Sequence, residues 1–267
     1  MAKIGLVAGA GLLPVEFALS AKAKGDKVVV FALEGVADKR LEEIAERVYR
    51  LKITQYRKFF FLLVSNGIRE LVMLGKVEKR VIYEKGRARK QYSGKLGKLA
   101  DRKDYSILSE ITRRLAFIGV KVTDGLVYLS HLIPSEGVLT ATLPDKRVTE
   151  DIAFGYEAAK KMAGMDIGQT VVVKDKTVVA VEAMEGTDAV IERASSIAGE
   201  GCVMVKVSRP GQDMRWDVPV VGPETIKKLV EGKFRALAIE SGKMFVVNME
   251  RVVADADSSG LTVQTLV

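Results

Sequence analysis

Short, uninterrupted apolar runs alternating with helix-spaced stretches constrain the N-terminal half of this chain most. KIGLVA (3–8) leads into Gly9-Ala10-Gly11 and a helical stretch from Leu12 to about Lys24, and Gly25-Asp26 turns the chain into VVVFAL (28–33). The alternation continues with a helix over 38–46, a strand over 48–52, a helix over 56–66 stopped by Gly67, and ELVMLG at 70–75. A further helix over 105–117 carries Ile107, Leu108, Ile111 and Leu115, and Gly119 ends it before Val120–Val122. Runs this short and this apolar suit strands buried on both faces, and strand–helix repetition predicts a parallel sheet with helices on both sides. The reading for the first half is therefore a Rossmann-like α/β domain.

The texture changes where Pro134, Gly137 and Pro144 fall between periodic segments, which predicts domains at 1–133 and 134–267. The second reads as an α+β domain with a mixed sheet. Thr149-Glu150-Asp151 opens a helix to about Met162, and TVVVKDKTVVAVEA (170–183) reads as a hairpin turning at Asp175-Lys176. A helix from Thr187-Asp188 to Gly199, a strand over 203–207 and a helix over 224–231 follow. ALAIE-SGK-MFVVN (236–248) is predicted to be a second hairpin, ahead of a helix over 249–256 and a closing strand over 261–267.

Composition narrows the chemistry. The single cysteine, Cys202, excludes an internal disulfide and, beside Val203, reads as a core residue. With one histidine, His131, a Cys/His zinc site is not expected, and no nucleophile motif accompanies it for a catalytic triad. No apolar run approaches the ~20 residues that span a bilayer. The N-terminus reads as strand, turn and helix rather than signal peptide, so a cytoplasmic protein is expected. Eleven Lys/Arg against Glu78, Glu84 and Asp101 between Gly75 and Lys103 account for the whole net charge of +8. Such a segment suits a nucleic acid, an anionic membrane surface or a phosphorylated ligand, or is a solvated loop. Tyr83 and Tyr92 are its only aromatics and no RNA- or DNA-binding motif accompanies it, so nucleic acid is not the expected partner.

Two segments concentrate ionisable groups. VEAMEGTDAVI (181–191) and KVSRPGQDMRWDVPVVGP (206–223) hold Glu182, Glu185, Asp188, Asp213 and Asp217 together with Lys206, Arg209 and Arg215. Carboxylates on tight turns suit a hard cation such as Mg²⁺, and arginines and lysines grip phosphate, a pairing made for metal-assisted phosphoryl chemistry. The same residues also serve as ordinary turn residues, Asp188 as a helix cap and Trp216 as a cover for the core. At Gly9-Ala10-Gly11, backbone N–H groups at a helix start suit a phosphate or uridine, whereas Pro14 breaks the dinucleotide pattern G-x-G-x-x-G; close packing is the preferred explanation of these glycines.

At these residues the chain resembles the LpxI family of UDP-2,3-diacylglucosamine pyrophosphatases. VEAMEGTDAVI and RPGQDMRWDVPVVG carry the resemblance, supported by DIGQTVVV (166–173), ELVMLGKV (70–77) and KIGLVAGAGLLPVEFA, in order along essentially the whole chain. The resemblance implies two domains enclosing a lipid nucleotide, and Mg²⁺-dependent hydrolysis of its pyrophosphate to UMP and 2,3-diacylglucosamine 1-phosphate (lipid X). It places the reaction in lipid A synthesis at the cytoplasmic face of the inner membrane, with peripheral membrane contact as a further expectation; the apolar hairpins, read from the sequence itself, suit a homo-oligomer. It also implies a catalytic carboxylate in the GQDMRWD segment, Asp213 or Asp217. The chemistry of the residues adds Asp188 to the expected catalytic carboxylates, Asp213, Asp217 and Glu185 as Mg²⁺ ligands, and Glu185 and Asp188 as completing the cation's oxygen shell. Gly9, Gly11, Gln169, Thr187, Lys206, Gln212 and Arg215 are the expected substrate contacts. Ser208-Arg209-Pro210 stands where the family commonly has a Lys-Pro pair, and Trp216 where it has Phe. The competing expectations are a non-catalytic lipid- or UDP-sugar-binding protein of the same fold and a hydrolase of another nucleotide-linked substrate.

Overall fold

The computed structural model describes residues 1–76, 104–215 and 218–267, so all but the first two residues of the basic segment, as well as Trp216 and Asp217, lie outside the described residues. The chain forms two compact units: Met1–Leu129 with Asp213–Asp217, and Ser130–Gln212 with Val218–Val267.

In the first unit β1 (Lys3–Ala8), β2 (Lys27–Leu33), β3 (Arg47–Leu51), β4 (Glu70–Leu74) and β5 (Lys121–Thr123) form one sheet in the order β3-β2-β1-β4-β5. Every pairing is parallel. The order reverses between β1 and β4, the switch point at which open α/β sheets leave a crevice beyond their strand ends. Between the strands run α1 (Leu13–Ala23), α2 (Leu41–Ile44), α3 (Tyr56–Ser65) and α4 (Asp104–Phe117), with α5 (Leu126–Leu129) after β5. Phe31, Leu63, Leu71 and Leu115 are buried together at the centre of one face. The helix expected over 38–46 shrinks to the single turn of α2, because Arg47 already pairs with Val29 in the sheet.

The second unit holds β6 (Thr170–Lys174), β7 (Thr177–Val181), β8 (Val203–Lys206), β10 (Ala236–Glu240) and β12 (Thr262–Leu266) in the order β12-β10-β8-β6-β7. The first three of that order are parallel, and β6 runs antiparallel to both β8 and β7, a mixed sheet. Helix α6 (Lys146–Gly164) covers one face; α7 (Thr187–Ala198), α8 (Pro223–Glu231) and α9 (Met249–Ser258) complete the unit. Helix α6 starts three residues before Thr149, because the Asp145 carboxylate caps it by accepting from the Val148 N–H at 2.9 Å. Cys202 is buried at the start of β8.

The second hairpin expected over 236–248 is not formed. All five residues of β10 are buried, and β8 and β12 occupy both its edges. Phe245–Val246 (β11) instead pairs in parallel with Val220–Val221 (β9) in a separate two-stranded ladder. An apolar run with no polar alternation is the mark of a strand enclosed on both sides, and such a strand has no edge left for a neighbour in sequence.

Candidate functional site

The sheet of the second unit gathers its ionisable residues at one end, where β8 and β10 finish. Lys206 closes β8 and stands opposite Thr170, the first residue of antiparallel β6. Glu182 follows β7 and is drawn in by its N–H, which donates to the Thr170 carbonyl at 2.8 Å. Thr187 opens α7. Register and turn geometry thus bring four side chains from four elements together. The Lys206 ammonium donates to Thr187 Oγ1 at 2.8 Å and Thr170 Oγ1 at 3.2 Å, and faces Glu182 Oε2 at 3.8 Å. Thr187 donates in turn to Glu182 Oε1 at 2.8 Å.

Burial pushes the Glu182 carboxyl upward, but the Lys206 charge and hydrogen bonds from Thr170, Thr187 and the Gln169 N–H outweigh it, leaving its pKa below the usual value. Gln169 Oε1 is buried and has no hydrogen-bond partner among the described residues, an acceptor available to a water or ligand donor.

One strand over, Glu240 ends β10 almost completely buried. Its Oε2 accepts from both the N–H and the hydroxyl of Ser208, each at 2.8 Å, and its Oε1 accepts from Lys160 and Lys243, each at 3.1 Å. Burial raises this carboxyl and the four donors bring it down, with a net depression. Glu240 therefore fixes Ser208, the residue from which the Arg209–Asp217 segment departs. Thr170 and Ser208 lie inside quoted motifs without being named as site residues, and Glu240 lies in no motif; its available signal is a carboxylate directly behind the buried run Ala236–Ile239.

The remaining expected site residues take these places. Asp213 is held by Arg215 through a two-pronged contact, with Nε at 2.9 Å from Oδ1, and the Arg215 N–H donates to the same oxygen. That guanidinium holds the Asp213 carboxyl below the ordinary carboxylate value. The Gln212 side chain lies near the Arg209 N–H at 3.4 Å. Glu185 pairs with Arg193 at 2.9 Å and accepts from the Ala183 N–H. Asp188 is exposed in the first turn of α7; the cap position belongs to Gly186, and no side chain caps that helix.

Gly9 is explained by packing. Its N–H donates to the Leu74 carbonyl at 2.8 Å, and a Cβ would lie 2.7 Å from the Lys76 oxygen. Gly11 has a φ of +101°, a conformation that side chains other than glycine resist. Among the described residues no three His, Cys, Asp or Glu side chains stand together as a metal-holding group.

Residues 3–132 match the LpxI N-terminal domain and residues 135–264 the LpxI C-terminal domain. The chain belongs to the LpxI family. A relative from Caulobacter vibrioides, UDP-2,3-diacylglucosamine pyrophosphatase LpxI, is 30% identical over 275 residues, covering 98% of this chain and 97% of its own. Among solved structures, a biotin carboxylase–beta-gamma-ATP complex from Campylobacter jejuni matches with a TM-score of 0.28 and 14% identity, over 73% of this chain and 42% of its own. The biotin carboxylase domain of Hydrogenobacter thermophilus 2-oxoglutarate carboxylase matches with a TM-score of 0.24 and 14% identity, over 73% of this chain and 41% of its own. Likenesses this slight carry nothing about the site of an LpxI-family chain.

Proposed function

We propose that this LpxI-family chain hydrolyses the pyrophosphate bond of UDP-2,3-diacylglucosamine, giving UMP and 2,3-diacylglucosamine 1-phosphate as a step of lipid A synthesis at the cytoplasmic face of the inner membrane. The observation that carries the reading is the relative of that name, matched over nearly the full length of both chains. In the reaction the oxygen of water bonds to one phosphorus while the bridging oxygen leaves with the other. A carboxylate takes the released proton, and cationic side chains offset the charge on the phosphoryl oxygens. Asp213 or Asp217 is the carboxylate in this reading, and Asp188 is a further acidic residue assigned to the reaction. Arg215 and Lys206 take phosphoryl oxygens, and Gln169, Thr187, Gln212, Gly9 and Gly11 orient the nucleotide.

Mg²⁺ is the proposed cofactor. The described residues do not make a ready-built cage for it, since Asp213 already faces Arg215 and Glu185 faces Arg193. Mg²⁺ commonly takes one or two carboxylates and fills its shell with phosphate oxygens and water, so an ion arriving on the pyrophosphate requires no such cage.

The deciding experiment incubates the purified chain with UDP-2,3-diacylglucosamine and Mg²⁺, with and without EDTA. The expected result is release of UMP and the 1-phosphate, lost with chelator. Retained binding with no release in either condition would make the chain a binding protein rather than a hydrolase.

A further inference from the structure

The first unit carries an apolar groove of about 760 Å³ between α3 and α4, lined by Tyr56, Arg57, Phe60, Arg113, Arg114 and Phe117 among others. Helical spacing explains its α3 wall. Phe59, Leu62 and Leu63 face the core and Phe60 is half-buried against it, which leaves Tyr56 and Val64 outward, with Arg57 and Phe61 beside them. The apolar members are unusually open to solvent: Phe117 is 93% exposed, Phe61 69%, Val64 62% and Tyr56 50%. A cluster of this kind on one face marks an interaction surface rather than scattered surface apolars.

Its charge selects among occupants. Three arginines line the groove, and among the described residues Glu110 is the carboxylate that pairs with them, binding both Arg113 (2.8 Å) and Arg114 (2.7 Å). Arg57 has no carboxylate partner among the described residues. A second copy of this chain docking face to face would set these arginines against their own equivalents, since an isologous contact presents the same patch twice. An anionic partner with an apolar interior meets both halves of the surface: aromatics enter the headgroup–acyl boundary while arginines take the phosphates above it.

We propose that the α3–α4 face of the first unit is a docking surface for an anionic phospholipid membrane. In this proposal the chain lies on the bilayer surface through this face; among the described residues no helix is long and apolar enough to cross a membrane. The inference stands apart from the hydrolase reading, because vesicle binding needs no turnover.

The test is co-flotation of the full chain with vesicles of phosphatidylcholine alone or mixed with phosphatidylglycerol. Binding is expected to require phosphatidylglycerol and to fall with added salt. Arg57→Gln is expected to weaken it about fivefold, the effect of one basic residue near an anionic surface. Phe117→Ser, at a site too exposed for the fold to depend on it, is expected to weaken it at least about tenfold. No binding to the mixed vesicles, or binding that both variants leave unchanged, would overturn the proposal. So would a dimer in light scattering that Phe117→Ser dissociates, because the second copy would then be the occupant. UMP release from detergent-dispersed substrate by the same variants reads the hydrolase separately, and it is expected to stay at the wild-type rate.

Discussion

Lys206 and Glu182 form a buried pair whose members depend on each other. Replacing Lys206 by Met leaves a carboxylate among Thr170, Thr187 and the Gln169 N–H without its cation, which typically costs about 3–5 kcal/mol. Denaturant unfolding at neutral pH is expected to show a loss of that order. The pH dependence has a definite sign. Because the folded pKa of Glu182 lies below the usual 4.5, its contribution is complete above about that pH and is lost as pH falls through the folded value. In Lys206→Met burial dominates and the folded pKa rises, so the deficit against wild type should narrow on acidification from neutrality towards pH ~4.5; a constant deficit would contradict this account. For the reaction, Asp213→Ala and Asp217→Ala each test the proposed carboxylate. At least one is expected to abolish UMP release with the circular dichroism spectrum unchanged, and full activity in both would remove the assignment. Lys206 and Thr187 stand out in the sequence by their neighbourhood. Thr170 does not, since only the β6–β8 register places it opposite Lys206.

At the scale of elements, close backbone approaches decide which substitutions the sheets tolerate. Gly168 lies where β6 begins, and a Cβ there would sit 2.0 Å from the Glu182 carbonyl oxygen. Gly168→Ala must push β6 and the end of β7 apart, displacing Glu182 from Lys206 and Thr187. An overpacking cost of about 3 kcal/mol and a fall in turnover are expected together, checked by thermal unfolding and UMP release. Parallel strands of the first unit were legible because apolar runs and glycine stops alternate without interruption. The second unit was less so. Ser241-Gly242-Lys243 between two apolar runs has the composition of a hairpin turn, and Gly242 does adopt a φ of +70°. The pairing that wins is settled by β8 and β12, distant in sequence, which enclose β10 on both edges. Helix α6 was placed late because Asp145, separated from Thr149 by two basic residues and a valine, gave no apolar period to announce the cap.

For the molecule as a whole, separate cores imply separable unfolding. One apolar cluster of the first unit centres on Phe31, Leu63 and Leu71, and those of the second unit on Met204, Leu237 and Val205. Calorimetry is expected to resolve two transitions, with Gly9→Ala lowering one and Gly168→Ala the other. A single transition moved by both variants would show one cooperative body instead. The strand order of the first sheet also has a consequence during synthesis. β1 is made before either of its sheet neighbours, β2 and β4, and the latter ends only at Leu74. A nascent chain emerging from the ribosome therefore carries a half-paired apolar strand until roughly 65 residues have followed it, a span of several seconds at about 5–20 residues per second. During that interval, protection of β1 falls to α1, β2 and whatever chaperone meets the emerging chain.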